Sequence, residues 1–324
     1  MNFQGLQSVE TYDVYLDTAF GRAKKKGAEA QNSLRTKDKV IKAKTVEIRK
    51  VDSVRDVLRE AMLRIEDSFP SMDELPEFYK ELSAISFDVD ETKRSLGALR
   101  WTTEQISGFA RETTKNIKKA TTKEKVLSYR QAFYGRVSSV MKRINKHLKF
   151  LEQVRRTMKA FPTVKESLYT VAIVGFPNVG KSTLLSKITT SDVEINSYAF
   201  TTKSLLIGYR KMNNHKIQFM DTPGTLNRDE KKNVIEKQAE LAMKYVADLM
   251  IYVFDPTELY PFEKQERLLR NVKKFRKQII LYLSKTDIAD QDIIDEIKEK
   301  HKGILTTEDE LLAAIREKHL NADM

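Results

Sequence analysis

The stretch Gly175-Phe-Pro-Asn178-Val179-Gly180-Lys181-Ser182 decides how the C-terminal half of this chain is built. It follows the apolar run Val171 to Val174 and precedes a helical stretch from Thr183, so it reads as a P-loop between a strand and a helix. Glycines let main-chain N–H groups turn inward onto phosphate oxygens, and the Lys181 ammonium reaches the β- and γ-phosphates. The Ser182 hydroxyl suits magnesium at a helix N-terminus whose dipole favours anions. The expected phosphate cradle is therefore Asn178, Val179, Gly180, Lys181, Ser182 and Thr183. A strand-to-helix turn that holds no nucleotide is the alternative, and the motifs downstream decide between the two.

Asp221-Thr-Pro-Gly224 follows the apolar strand ending at Met220. It suits a second magnesium element, with Asp221 holding the ion through water and the Gly224 N–H sensing the γ-phosphate. Between the two motifs lies Tyr198-Ala-Phe-Thr201-Thr202, where a first switch must supply a threonine to magnesium and phosphate; Thr202 is favoured over Thr201, against a bland role in capping the next strand. The expected catalytic set is Lys181, Thr202 and Gly224, with Ser182 and Thr202 as metal ligands. Ser284-Lys285-Thr-Asp287 follows the apolar strand Gln278 to Leu283 and occupies the place of a base-reading motif usually written Asn-Lys-x-Asp. The Asp287 carboxylate accepts two hydrogen bonds from the N1–H and N2 amine of guanine, an arrangement adenine lacks. Lys285 is expected to lay its stem along the base. Ser284 stands where the asparagine would brace the P-loop and touch N7, so weaker binding with selectivity kept is the expectation. The last base-contacting loop falls near Leu305-Thr306-Thr307.

From about residue 168 short apolar runs alternate with helical or turn segments, with candidate strands at 169–174, 203–209, 215–220, 249–254 and 279–283 and a weaker one at 303–306. This pattern predicts an α/β fold with a mostly parallel, doubly wound sheet over 166–324. Residues 1–165 carry apolar positions at helical spacing and predict an all-helical bundle, with the boundary near Pro162 to Ser167. One stripe runs through Ile48, Val51, Leu58, Met62, Ile65 and Phe69 to a stop at Pro70, with Arg55 interrupting it. A second runs continuously from Val126 through Phe133, Val137, Val140, Ile144, Leu148 and Leu151 to Val154. Shorter helices are expected at 76–85 and 98–119.

The net charge of +12 lies entirely in the N-terminal half, which holds 34 basic against 22 acidic side chains; the C-terminal half holds 24 of each. Residues 101–165 alone carry 16 basic and 4 acidic groups, among them Lys115, Lys118, Lys119, Arg136, Lys142, Arg143, Lys146, Lys149, Arg155 and Arg156. This local excess points to a polyanion-binding face, a solvated lysine-rich surface being the alternative. There is no cysteine and only four histidines, which excludes a disulfide framework and a Cys/His zinc cluster. The apolar runs are too short for a bilayer span, so no membrane insertion is expected.

Taken together the motifs resemble the Obg-related branch of GTPases. Phe69-Pro-Ser-Met-Asp-Glu-Leu-Pro-Glu-Phe-Tyr79, Asp88-Val-Asp90, Leu96-Gly-Ala-Leu-Arg-Trp101 and Tyr134-Gly-Arg-Val-Ser-Ser139 are similar to segments of the nucleolar GTP-binding protein family, and the likeness spans essentially the whole chain. The resemblance implies a cytoplasmic GTP-hydrolysing switch in assembly of the large ribosomal subunit, in a short archaeal-type form. GTP or GDP with Mg2+ would be its cofactors, pre-ribosomal rRNA its partner, and the monomer its state off the ribosome. Asn178 resembles the asparagine with which related GTPases hold K+; a turn-stabilising role is the equal alternative. Thr225 stands where Ras-like switches place a catalytic glutamine, which implies slow intrinsic hydrolysis that rises on the particle or with a monovalent cation. Two other classes stay open at this level: a GTP-timed protein or membrane-surface scaffold unrelated to ribosomes, and an ATPase, against which Asp287 argues.

Overall fold

The computed structural model describes residues 2–165, 167–189, 194–197, 204–212, 215–222, 234–257 and 260–322. The switch residues Thr201, Thr202, Gly224 and Thr225 lie outside them.

Six helices precede the first strand: α1 Tyr12–Ser33, α2 Lys39–Ser68, α3 Glu77–Ser86, α4 Val89–Lys119, α5 Lys123–Arg143 and α6 Asn145–Lys159. Their starts follow local chemistry. The Asp38 carboxylate accepts from the N–H groups of Val40 and Ile41 to start α2, and Asp88 accepts from Glu91 N–H to start α4, nine residues earlier than the expected 98. The second apolar stripe is buried throughout, as its spacing requires, but on two helices rather than one. Ile144, at φ −83° and ψ 0°, closes α5, and α6 begins at the next residue. In the first stripe Val54, fully buried, fills the place beside Arg55. Arg55 itself turns outward to Asp52 and Asp56.

The C-terminal half is a six-stranded sheet in the order β2-β3-β4-β1-β5-β6. The strands are β1 Thr170–Val174, β2 Glu194–Ser197, β3 Ser204–Met212, β4 His215–Asp221, β5 Leu249–Phe254 and β6 Gln278–Leu283. The pairings β4-β1, β1-β5 and β5-β6 are parallel, and β2-β3 and β3-β4 are antiparallel. The central strands β1 and β5 are buried along their whole length, which is why they read as continuous apolar runs. Helices α7 Lys181–Ile188, α8 Val234–Tyr245, α9 Phe262–Lys273, α10 Gln291–Lys300 and α11 Glu308–Ala322 complete this half. The expected weak strand at 303–306 reduces to a single parallel bridge, Tyr282 with Leu305, fastened by Leu305 N–H to Leu281 O and Leu283 N–H to Leu305 O. The four-residue edge strand β2 gave no alternation in the sequence and was not expected.

The chain divides into two compact units, one of Phe3–Leu75 with Phe87–Lys159, the other of Met1–Asn2, Pro76–Ser86 and Ala160–Met324. The return at Ala160 lies close to the boundary expected from sequence, whereas α3 is a departure. It packs against α8 in the sheet-containing unit. Its buried residue Tyr79 donates from its hydroxyl to Pro162 O at 2.9 Å and accepts from Val164 N–H at 3.0 Å, which ties the helix to the segment leading into β1.

Candidate functional site

Every described residue that carries a nucleotide-site motif sits at the carboxyl end of a parallel strand or its edge, where open α/β sheets bind ligands. The P-loop leaves β1, Asp221 ends β4, Asp255 follows β5 and Ser284 follows β6. The loop path needs two of its glycines. A Cβ on Gly175 would lie 2.7 Å from Val253 O, and Gly180, at φ 91°, caps α7 in the left-handed region. Asn178 takes a positive φ of 62° as well and is exposed.

Lys181, buried, donates from Nζ to Phe176 O at 2.8 Å, folding its stem back over the loop. The Ser182 hydroxyl donates to Asp221 Oδ2, which brings the two predicted metal-site groups together across α7 and β4. Asp221 Oδ1 is buried with no hydrogen-bond partner among the described residues. Burial pushes the Asp221 carboxyl above its usual range, against the pull of the Lys181 ammonium and the Ser182 bond. An orphaned carboxylate oxygen beside a hydroxyl is a hard-oxygen donor set that fits Mg2+. Val179 is buried, and Thr183 is exposed on the first turn of α7.

The base-reading end corrects one expectation. Ser284 does not leave the P-loop unbraced: its buried hydroxyl proton lies between Val179 O at 2.7 Å and Phe254 O at 2.9 Å. The loop and the end of β6 lie close here, an added Cβ on Gly180 meeting the Ser284 Cβ at an ordinary 3.7 Å. Lys285, at φ 52°, directs its ammonium to Asp255 Oδ2 at 2.7 Å. Asp287 is exposed at the rim. In the last loop the Thr306 and Thr307 N–H groups both donate to Glu310 Oε2 at 3.3 Å, while Thr307 Oγ1 accepts from Glu310 N–H. This is a capping box at the start of α11.

Asp255 was not foreseen. Its side chain is fully buried, with Oδ1 accepting from Thr257 N–H and Oγ1 and Oδ2 accepting from Lys285. Gln265 of α9 holds the Asp255 peptide from both sides, accepting from its N–H and donating to its C=O. The available signal was its position: β5 pairs with β6 with Phe254 opposite Leu283, so Asp255 and Ser284 leave the sheet side by side.

In the helical unit the basic groups divide by partner. Arg155 and Arg156 both bind Glu152, whose carboxyl is held at about 2, chiefly by Arg155. Glu152 also accepts from Val9 N–H, so this pair stitches the N-terminal segment to α6 and leaves the proposed polyanion face. Arg136 pairs with Glu112. Arg111, Lys115, Lys118 and Lys119 line a cavity of about 450 Å³ with Arg55 and Asp52, and those four have no carboxylate partner among the described residues. Lys142, Lys146 and Lys149 are likewise exposed and without a salt bridge. Among the described residues no group of three or more His, Cys, Asp or Glu could hold a metal, and no helix is long and apolar enough to cross a membrane.

Residues 3–165 match the family described as NOG1 N-terminal helical domain, and residues 170–285 match the family described as 50S ribosome-binding GTPase. An uncharacterised protein of Methanocaldococcus jannaschii is 37% identical over 282 residues, 85% of this chain and 79% of that protein. Nucleolar GTP-binding protein 1 of Drosophila melanogaster is 32% identical over 83% of this chain and 41% of its own length. The Saccharomyces cerevisiae protein of the same name is 29% identical over 91% of this chain and 46% of its own length. The chain thus spans less than half of these two eukaryotic relatives.

Proposed function

The chain belongs to the NOG1 family of GTP-binding proteins, and from that premise we propose that it is a GTP-controlled factor in large ribosomal subunit assembly whose helical unit docks rRNA. The observation that carries the nucleotide half is convergence. Lys181, the Ser182–Asp221 pair and the Lys285–Asp255 pair meet at the carboxyl ends of four neighbouring parallel strands. In this reading Gly180, Lys181 and Thr183 hold phosphate oxygens. Ser182 and Asp221 hold Mg2+, with Thr202 as the further protein ligand, and the ion neutralises charge on the phosphates when bound. Lys181, Thr202 and Gly224 stabilise the transferring phosphoryl group and sense its loss. Lys285 supports the face of the base while Asp287 selects guanine, and the Ser284 hydroxyl keeps the loop and the base motif in register.

GTP hydrolysis is slow without an activator, because Thr225 offers no amide to orient water; turnover in K+ against Na+ buffers tests whether Asn178 holds a monovalent ion. The docking half rests on exposed cations without carboxylate partners in the helical unit, which would hold RNA by phosphate contacts and lose it steeply with salt. Support for coupling between the halves comes from α3, which the chain threads out of the helical stretch to pack on α8, downstream of Gly224. Calorimetry of the full chain with GTP, GDP and ATP in Mg2+ tests the core of the proposal. Heat for the guanosine nucleotides and none for ATP is expected, and silence for GTP removes it.

A further inference from the structure

The chain has one tryptophan, and it is on the surface. Trp101, in the middle of α4, is 38% exposed, and with Tyr129 at 36% it is one of two large aromatic groups exposed on the described helical unit, whereas Phe133 is fully buried. An indole more than a third exposed in the middle of a long, otherwise well-packed helix gives up part of the burial that normally stabilises such a residue.

Its surroundings point outward too. The Arg143 guanidinium, at the end of α5, stands 6.0 Å from the centroid of the Trp101 ring and has no carboxylate partner among the described residues. Two turns back along α5, Arg136 lies 4.0 Å over the ring of Phe109. The antiparallel seam of α4 and α5 thus carries two arginine–aromatic pairs, and the exposed Lys142 and Lys146 flank the outer one. Glycines recur on these two helices. A Cβ placed on Gly97, Gly108 or Gly135 would meet nothing within 4 Å, so no packing within the chain requires them. Glycine in a helix interior costs about 1 kcal/mol relative to alanine, and at Gly97 its missing side chain leaves the surface one turn before the indole open. Helical side chains lean toward the N-terminus of their helix, which sets the Trp101 indole over the turn carrying Gly97.

We infer that the Trp101–Arg143 end of this seam is a stacking platform for an unpaired RNA base, with Arg143, Lys142 and Lys146 on the adjoining phosphates. An indole presents a π-face that any base can stack on, and arginine extends that plane while carrying charge. A base that slides onto the ring passes over Gly97, where a side chain would block it. The inference rests on the reading of the helical unit as an RNA-docking surface, and it narrows that surface from a charge excess to a named pair.

The single tryptophan supplies its own probe. The full-length protein is titrated with a fluorescently labelled single-stranded RNA and with a duplex of equal length, recording tryptophan emission and RNA anisotropy together. Quenching of Trp101 that saturates in step with anisotropy for the single strand, and is small for the duplex, is expected. Trp101→Ala should weaken single-strand binding about tenfold without changing its salt slope, Trp101→Phe should restore most of it, and Arg143→Gln should lower the slope by about one. Binding by anisotropy with unchanged emission, equal quenching by duplex, or wild-type affinity in Trp101→Ala overturns the platform while RNA docking stands. No anisotropy change with either RNA overturns the docking reading and the platform with it.

Discussion

The nucleotide site and the basic surface of the helical unit are built by opposite means. In the first, each group is fixed by a named partner, with Lys181, Asp221, Asp255 and Ser284 buried: Lys181 on Phe176 O, Ser182 on Asp221, Ser284 between two carbonyls, Lys285 on Asp255. In the second, Arg111, Lys115, Lys118, Lys119, Lys142 and Lys146 have no carboxylate partner among the described residues and stand in solvent or in an open cavity. A buried site concentrates its energy in few contacts, because each unpaired group there carries a full desolvation cost. An exposed patch spreads small, screened contributions over many charges. Single substitutions should therefore be severe in one region and mild in the other.

The largest effect is expected at Lys181. Lys181→Ala should lower GTP affinity at least 100-fold by calorimetry while circular dichroism stays unchanged, and a loss below tenfold would erase the contrast. Asp255→Asn comes next. It leaves the half-buried Lys285 ammonium without its charged partner, so GTP affinity should fall about tenfold, and stability should fall by about 1 kcal/mol in urea titration. On the basic surface, reversing Lys142, Arg143, Lys146 and Lys149 together to glutamate should abolish binding to RNA or pre-ribosomal particles with GTP binding kept. Lys146→Glu alone should cost only a few-fold, and a collapse from that single change would show that the patch is not diffuse.

The smallest effect concerns Arg155 and Arg156, both engaged by Glu152. Glu152 is held at about 2 against an ordinary 4.5, so its contribution to folding is complete above pH 4.5 and fades as the pH falls toward 2. Glu152→Gln should remove that part of the acid dependence and lower stability by about 1 kcal/mol at neutral pH. An unchanged melting profile between pH 5 and 3 in the variant and its parent would remove the assignment.

The site was legible to different depths. The P-loop, Asp221 and the 284–287 motif could be located from the sequence alone, because such motifs are local, and the structure brings Lys181, Ser182, Asp221 and Ser284 to neighbouring strand ends. The Ser284 brace could not, since whether a hydroxyl reaches Val179 O depends on how closely the P-loop and the end of β6 approach in the folded sheet. Asp255 looked like any acidic residue after a strand; only the β5-β6 register puts it under Lys285. The charge count found the basic region but could not tell Arg155 and Arg156, both bound to Glu152, from cations that remain available.

The sequence by itself determined the helical half, the positions and mostly parallel pairing of the main strands, and the GTPase family. Period, breakers and motif spacing are local, and they are written into neighbouring residues. Tertiary structure decided where α3 belongs, that the second helical stripe divides at Ile144, that 303–306 forms only a bridge, and that Trp101 faces outward beside Arg143. Periodicity says which face of a helix is apolar and is silent on what covers it, because the partner surface comes from residues distant in the chain.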